Sequence, residues 1–203
     1  MDSRKNTEME ILRAAKKIFI QHGYAGARMQ AIADEAKINK AMLHYYYRSK
    51  DALFEKIMDG AVDLMSKQLT NALSGDAPVM EKVEKMVSNY TDTIIKNPYI
   101  PIFILNEIAR NQMNFQNKLL QKLEQNNIFQ NFLLQVLEEQ QKGILRSIPV
   151  PHFMITIMSL IVFPHIAKPV FLKIFEVTDT AYMHMMEERK QLVMDFLEKS
   201  FVP

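Results

Sequence analysis

Apolar side chains recur at helical spacing, three or four residues apart, along almost the whole chain. One early stripe consists of Ile11, Ala14, Ala15, Ile18 and Phe19, which would share one face of a helix. Alternation of apolar and polar positions, the pattern typical of half-buried strands, is scarce. The pattern therefore predicts an all-α protein.

Four helices are predicted in the first part of the chain, and residues with capping chemistry mark their ends. The first begins at a capping box formed by Thr7 and Glu10 and ends at Gly23. The second is short and carries Met29, Ile32, Ala33 and Ala36 on one face. Asn39 caps a third helix, from Lys40 to about Tyr46, and Ser49 caps the fourth.

Longer helices are predicted in the rest of the chain. The fourth helix reaches Leu73, and further helical patterns cover about 78–96, 102–110, 115–141, 152–163, 170–175 and 179–200. Neither an internal repeat nor a low-complexity linker separates them. We therefore expect a small amino-terminal domain, residues 1–56, followed directly by a larger helical domain, residues 57–203.

Charge is distributed unevenly between these two domains. The whole chain has a formal net charge of +2, which is uninformative. Residues 1–56 contain eleven Lys or Arg and seven Asp or Glu, a charge of +4, whereas residues 57–203 carry −2. A basic amino-terminal domain beside a mildly acidic one fits an electrostatic footprint for nucleic acid.

Several chemistries lack their sequence signatures. The chain has no cysteine, which excludes disulfides, Cys-based zinc sites and thiol nucleophiles. The histidines stand too far apart in sequence for a pair on one helical turn, and neither a Gly-rich phosphate loop nor a nucleophile elbow occurs. We therefore expect no metal, no cofactor and no enzymatic activity.

The most apolar run, Phe153–Phe163, is eleven residues long and lies between two prolines. Because a membrane span needs about 20 apolar residues, we interpret this run as a buried helix and expect no membrane partner. The first ten residues hold five charged side chains and no apolar signal region. These features predict a cytoplasmic protein.

The second and third predicted helices have the layout of a helix-turn-helix, whose second helix enters the major groove of DNA. The first residues of that helix meet base edges, while nearby cations and hydroxyls hold phosphates. The candidate DNA-binding residues are Arg28, Gln30, Lys40, Ala41, His44, Tyr45, Tyr46 and Lys50. We expect Tyr47 in the core instead, because a seven-residue helix cannot expose every face.

The same segment resembles the amino-terminal domain of the TetR family of transcriptional regulators. The matching residues, in order and spacing, are Ile11-Leu12, Ala14-Ala15, Phe19, Gly23-Tyr24, Ile32-Ala33, Ala36, Ile38, Lys40, Leu43, Tyr45 to Tyr47, Ser49-Lys50 and Leu53-Phe54. The resemblance implies a three-helix helix-turn-helix DNA-binding domain followed by a helical ligand-binding and dimerisation domain. It also implies a homodimeric repressor that binds a palindromic double-stranded DNA operator and is released by a small molecule.

The chain departs from the family pattern at a few positions. Ala27 and Arg28 stand where threonines often cap the second helix and contact a phosphate, so that Arg28 would replace a hydroxyl by charge. Lys37 stands where glycine is usual in the turn, so either its φ is positive or the turn differs. Ala41 and His44 replace a frequent glycine and tyrosine, which alters the surface that faces the bases.

The larger domain offers candidate sites for an unidentified, largely apolar effector and for a second subunit. Tyr90, Phe103, Asn106 and Arg110 are candidate pocket residues, with solvent exposure of the polar ones as the alternative. The candidate dimer interface is Phe153, Ile157, Ile161, Met186, Val193 and Leu197, with burial inside one chain as the alternative. A second functional hypothesis is a helical ligand-binding or scaffold protein that does not bind DNA specifically.

Overall fold

A computed structural model describes residues 3–109, 114–124 and 127–203. Within these ranges the chain forms eleven α-helices and no strand, which confirms the all-α prediction. The helices are α1 Ser3–Gly26, α2 Met29–Glu35, α3 Lys40–Tyr46, α4 Lys50–Leu73, α5 Val79–Lys96, α6 Tyr99–Ala109, α7 Asn114–Glu124, α8 Ile128–Gln141, α9 Val150–Ile166, α10 Lys168–Ile174 and α11 Asp179–Phe201.

The chain forms two compact units. Unit 1 consists of Met1–Asp63 and Ile102–Lys118, and unit 2 consists of Leu64–Pro101 and Leu119–Pro203. Because α4, α6 and α7 each contribute residues to both units, no linker separates them along the chain. The predicted functional boundary after residue 56 stays a prediction.

Aromatic rings form the centre of unit 1. The rings of Phe54 and Phe103 stack with centroids 4.8 Å apart, and Phe19 meets both edge-on at 5.4 Å and 5.5 Å. Each of the three side chains is at most 1% exposed. Offset or edge-on aromatic packing adds about 0.5–1.5 kcal/mol per pair beyond the burial of apolar area. This cluster holds α1, α4 and α6 together within the unit.

The beginning of α1 differs from its prediction. The helix starts at Ser3, so Thr7 lies inside it and not at its end. The prediction was wrong because Arg4 and Lys5 are good helix formers that extend the helix before the capping box. At Gly23 the backbone turns to φ 65° and ψ 174°, which confirms that the regular helix is interrupted there.

Helix α5 is the central helix of unit 2 and packs against α8, α9 and α11. Its buried face includes Val83, Met86 and Tyr90, at helical spacing. The single helix predicted for 115–141 is two helices, α7 and α8. Asn127 stands between them with φ 52°, a left-handed conformation that ends regular helix.

Among the described residues, no single helix is long and apolar enough to cross a membrane. Helices α9 and α10 meet the length and composition criteria only when taken together, and their axes are bent by 66°.

Candidate functional site

A tight turn joins α2 to α3 in unit 1. The N–H of Ile38 donates to the backbone carbonyl of Ala33 at 3.0 Å, and the N–H of Lys37 donates to the backbone carbonyl of Asp34 at 3.1 Å. This pair of hydrogen bonds is a Schellman motif, which requires a left-handed residue after the helix. Lys37 is that residue, with φ 56°. Of the two possibilities for the turn, the structure therefore has the positive φ at lysine.

The side chain of Asn39 fixes the beginning of α3. Its Oδ1 accepts a hydrogen bond from the N–H of Met42 at 2.7 Å, which confirms the predicted cap. Leu43 is fully buried and orients the helix. On a helix, the side chains next to Leu43 in sequence point away from its buried side. The face of α3 opposite Leu43 is therefore open to solvent. Its exposed side chains are Lys40, Ala41, Met42, His44 and Tyr45.

Three consecutive tyrosines at the end of α3 have different surroundings. Tyr45 is 71% exposed, and its ring lies below the guanidinium of Arg4 at 5.8 Å. Tyr46 is half-buried and meets Tyr45 edge-on. Tyr47 is buried, as predicted, and its hydroxyl donates to Oε1 of Glu8 at 3.0 Å. Burial, followed by the hydrogen bond to the Glu8 carboxylate, raises the pKa of Tyr47.

Lys50, at the first position of α4, bonds to the backbone of its own unit. Its Nζ donates to the carbonyl oxygens of Tyr24 at 2.8 Å and Ala27 at 3.1 Å. The ammonium also lies 4.4 Å from the centroid of the Tyr24 ring, a cation–π geometry. The ammonium therefore ties the beginning of α4 to the end of α1 and to the connection that follows it, a role that the sequence did not reveal.

The beginning of α2 lacks a side-chain cap. Arg28 occupies the N-cap position without a capping hydrogen bond, and its side chain is exposed. Gln30 is also exposed, and its Nε2 donates to Oδ1 of Asp34 at 2.7 Å. Ala27 is buried. Arg28 and Gln30 are thus at the surface, and their contact with DNA stays a prediction.

Sequence reasoning missed Met42 and Arg4 in this part of unit 1. Met42 is 43% exposed beside Ala41, and Arg4 covers the ring of Tyr45. The helical period counted from Leu43 would have placed Met42 at the surface. No local pattern could have paired Arg4 with Tyr45, because the contact joins distant parts of the sequence.

Unit 2 contains an apolar cavity of about 320 Å³. Its lining is Leu69, Met86, Tyr90, Leu119, Leu120, Leu123, Phe129, Met154, Ile155 and Met158. Tyr90 is 3% exposed, and burial raises the pKa of its hydroxyl. Among the described lining residues, only Tyr90 has a side-chain group, its hydroxyl, that can donate a hydrogen bond. Tyr90 is thus the predicted pocket residue that lines this cavity.

The other predicted pocket residues do not line it. Phe103 belongs to the aromatic cluster of unit 1, where its ring is fully buried against Phe19 and Phe54. Asn106 is also in unit 1, half-buried, and its Nδ2 donates to the carbonyl of Ile102 at 3.0 Å. Placing Phe103 in the ligand pocket was wrong, because its ring is used in packing. Arg110 lies outside the described residues.

The six predicted interface residues are buried inside unit 2. The exposures of Phe153, Ile157, Ile161, Met186, Val193 and Leu197 are all 6% or less. Side chains covered by their own chain cannot contact a partner in this conformation, so these positions belong to the core. The same helices present a different apolar set to solvent. It consists of Ile155, Phe163, Leu192 and Phe196, each more than half exposed.

The sequence of the segment that contains α2 and α3 is similar to known proteins. Residues 11–57 match the family model described as bacterial regulatory proteins, tetR family. The probable HTH-type transcriptional regulator YttP of Bacillus subtilis is 22% identical over 163 residues, which cover 79% of this chain and 78% of YttP. The HTH-type transcriptional repressor NicS of Pseudomonas putida is 25% identical over 142 residues, covering 70% of this chain and 61% of NicS.

Solved structures agree with this match. The hemolysin II transcriptional regulator HlyIIR has a TM-score of 0.60 and 25% identity, over 90% of this chain and 98% of HlyIIR. The ketosteroid transcriptional regulator KstR2 of Mycobacterium tuberculosis has a TM-score of 0.72 over 100% of this chain and 97% of KstR2. At 14% identity, KstR2 supports the fold alone. These proteins are named as transcriptional regulators and not as enzymes. These comparisons support a TetR-family transcriptional regulator, with the family's DNA-binding domain in residues 11–57.

Proposed function

We propose that this chain is a cytoplasmic repressor that binds a palindromic operator as a homodimer and is released when a small molecule binds. The observation that carries this proposal is the open face of α3. Lys40, Ala41, His44 and Tyr45 are exposed there, while Leu43 holds the opposite face in the core. A helix exposed in this way fits the major groove and places its first residues at the base edges.

The exposed residues divide into two roles by their chemistry. Ala41 and His44 face outward near the beginning and middle of α3, where small and polar side chains meet base edges. Lys40 and Arg28 carry cations at the beginnings of α3 and α2, and Arg and Lys are the usual ligands of phosphates. We therefore assign sequence preference to Ala41 and His44, and affinity to Lys40 and Arg28.

Fluorescence anisotropy with labelled duplexes tests this assignment. We expect a palindromic fragment from upstream of its own gene to bind at least about 10³ times more tightly than a shuffled duplex. Lys40→Met should reduce the slope of log affinity against log salt by about 1, whereas Lys199→Met, an exposed lysine of α11, should leave it unchanged. His44→Ala should change which sequence binds best. Equal binding of both duplexes at every salt concentration would overturn the proposal.

The apolar cavity of unit 2 is the proposed effector site. Its lining is apolar except for the Tyr90 hydroxyl, which hydrogen-bonds to none of the described residues. A mostly apolar ligand with one polar group, placed to meet that hydroxyl, matches this lining. The cavity volume of about 320 Å³ lies at the small end of the usual range for ligand pockets.

An uncharged fluorescent probe, N-phenyl-1-naphthylamine, measures whether the cavity accepts such a molecule. We expect saturable binding to the wild-type chain that Met158→Trp weakens at least tenfold, because the larger side chain fills the cavity. Leu134→Trp is the control, since Leu134 is 63% exposed on α8 and does not line the cavity. Equal effects of both variants, or no saturable binding, would contradict this part of the proposal.

Helices α9 and α11 are the proposed dimer interface, through the exposed set Ile155, Phe163, Leu192 and Phe196. Two helices from each subunit would form a four-helix bundle with two-fold symmetry. Sedimentation velocity should show a dimer that Phe196→Glu converts to monomer, because the carboxylate would be desolvated at the interface. Leu134→Glu, at an apolar position of α8 that is also more than half exposed, should stay dimeric. A monomeric wild-type chain would overturn this interface.

The sign of regulation is tested separately. The relative NicS is named a repressor, and we propose the same sign here. In a reporter strain that carries the bound promoter fragment, expression of this chain should lower transcription. Higher transcription on expression would make the chain an activator and leave its DNA binding intact.

A further inference from the structure

A second cavity of unit 2, unlike the first, is polar. It has a volume of about 500 Å³ and lies between the α4–α5 connection and α8. The lining residues are Leu73, Ser74, Gly75, Asp76, Lys82, Ile128, Asn131, Gln135 and Glu138. Lys82 stands apart from the rest because it is a charged residue only 4% exposed.

The ammonium group of Lys82 hydrogen-bonds to Gln135. The Lys82 Nζ donates to Oε1 of Gln135 at 2.6 Å, while Nε2 of Gln135 donates to the Ala77 carbonyl and to Oε1 of Glu139, both at 2.9 Å. Glu139 in turn accepts from the N–H of Val79 at 3.0 Å. Both donors and the oxygen of Gln135 are therefore used, and the Lys82 ammonium occupies a fixed place at the cavity.

Among the described residues, this ammonium has no counter-charge. Its one hydrogen-bond partner among the described residues is the neutral Gln135 amide, and none of the described carboxylates pairs with it. A buried, unpaired charge is costly, and an ammonium has three donors. A ligand carboxylate in the cavity would accept from the remaining donors and neutralise the charge.

The other charged groups of the lining carry the opposite sign. Asp76 and Glu138 are exposed, and Glu138 accepts from Lys142 at 2.8 Å, which lowers its pKa. A phosphate would be repelled by these carboxylates, whereas a ligand that also carries an ammonium would be attracted to Asp76. We propose that this cavity binds a small zwitterion of the α-amino-acid class, with its carboxylate on Lys82 and its ammonium toward Asp76.

Isothermal titration calorimetry of the full chain with each of the twenty L-α-amino acids tests the proposal. We expect at least one to bind with a Kd of about 1 mM or tighter, and Lys82→Met to weaken it at least tenfold. Lys85→Met is the matched control, because Lys85 is an exposed lysine on the same helix. The methyl ester of the bound amino acid should lose affinity through its carboxylate, and the N-acetyl form through its ammonium.

Each outcome bears on the proposal. Absence of binding up to 10 mM of every amino acid, or equal binding by the Lys82→Met chain or the methyl ester, would overturn it. Equal binding of the N-acetyl form would show an anion site and refute the zwitterion. Circular dichroism checks the fold of Lys82→Met, and Asp76→Asn, a change in an exposed connection, tests the ammonium contact without disturbing the core. No DNA or apolar probe is present, so the result is independent of the proposed repressor function.

Discussion

Replacing Lys50 by methionine separates two roles that this lysine could have. Its sequence context predicts a contact with DNA, whereas the structure shows its ammonium bonded to the carbonyls of Tyr24 and Ala27. Methionine keeps an unbranched chain but removes the charge and all three donors. A residue that contacts phosphate alone would leave the stability of the free protein unchanged.

The expected cost follows from the three interactions that are lost. A hydrogen bond that involves a charged group contributes about 1.5–3 kcal/mol, and a cation–π contact at an exposed site about 0.5–1 kcal/mol. Lys50 is half-buried, so water replaces part of each interaction when the ammonium is removed. We therefore expect Lys50→Met to lower the free energy of unfolding by about 2 kcal/mol.

Urea denaturation followed by circular dichroism at 222 nm measures this change. With an m-value of about 2 kcal/mol/M, the midpoint should fall by about 1 M. Lys56→Met is the control, because Lys56 is exposed on the same helix and should shift stability by less than about 0.5 kcal/mol. If Lys50→Met unfolded at the same urea concentration as Lys56→Met, the proposed role of the ammonium in holding unit 1 together would be refuted.

Three further changes have expected outcomes in the same unfolding assay. Lys37→Gly should raise stability by about 0.5–1 kcal/mol, because glycine adopts the positive φ of this turn without strain; a loss of stability would show that the turn is not strained. Tyr47→Phe should cost about 1 kcal/mol by removing the hydrogen bond to Glu8, and an unchanged midpoint would contradict that bond. Burial, followed by the nearby charges of Lys168 and Arg189, lowers the pKa of His165 from 6.5 to about 4. Between these pH values the unfolded chain binds one proton more than the folded chain, so acidification should lower the free energy of unfolding by up to about 3 kcal/mol. His165→Asn should remove this part of the pH dependence.

Signals confined to a few neighbouring residues were predictable from the sequence. Asn39 and Ser49 each accept a hydrogen bond from a backbone N–H three residues later, as expected of N-caps. The interruption at Gly23 also follows from one residue's conformational freedom. These features need no knowledge of distant parts of the chain, which is why the layout of α2 and α3 was predicted closely.

Contacts between distant residues were not predictable in the same way. Phe103 contacts Phe54, 49 residues earlier in the sequence, and Phe19, 84 residues earlier, so its place in unit 1 could not be predicted from α6 alone. The bonds from Lys50 of α4 likewise reach Tyr24 near the end of α1 and Ala27 in the connection between α1 and α2. Lys82 is likewise buried and bonded to Gln135 of α8, 53 residues later, a contact that its own helix does not indicate.

The sequence of helix α9 explains why the dimer interface was predicted at residues that are buried within the chain. Its sequence is apolar on nearly every side, so helical spacing alone cannot distinguish the face that packs inside the chain from any other. The structure buries Phe153, Ile157 and Ile161 and leaves Ile155 and Phe163 exposed. Exposed apolar groups gain free energy when a second surface covers them, at about 25 cal/mol per Å². A monomer would be equally stable with polar residues on this face. The exposed apolar residues are therefore the reason for placing the second subunit on this face.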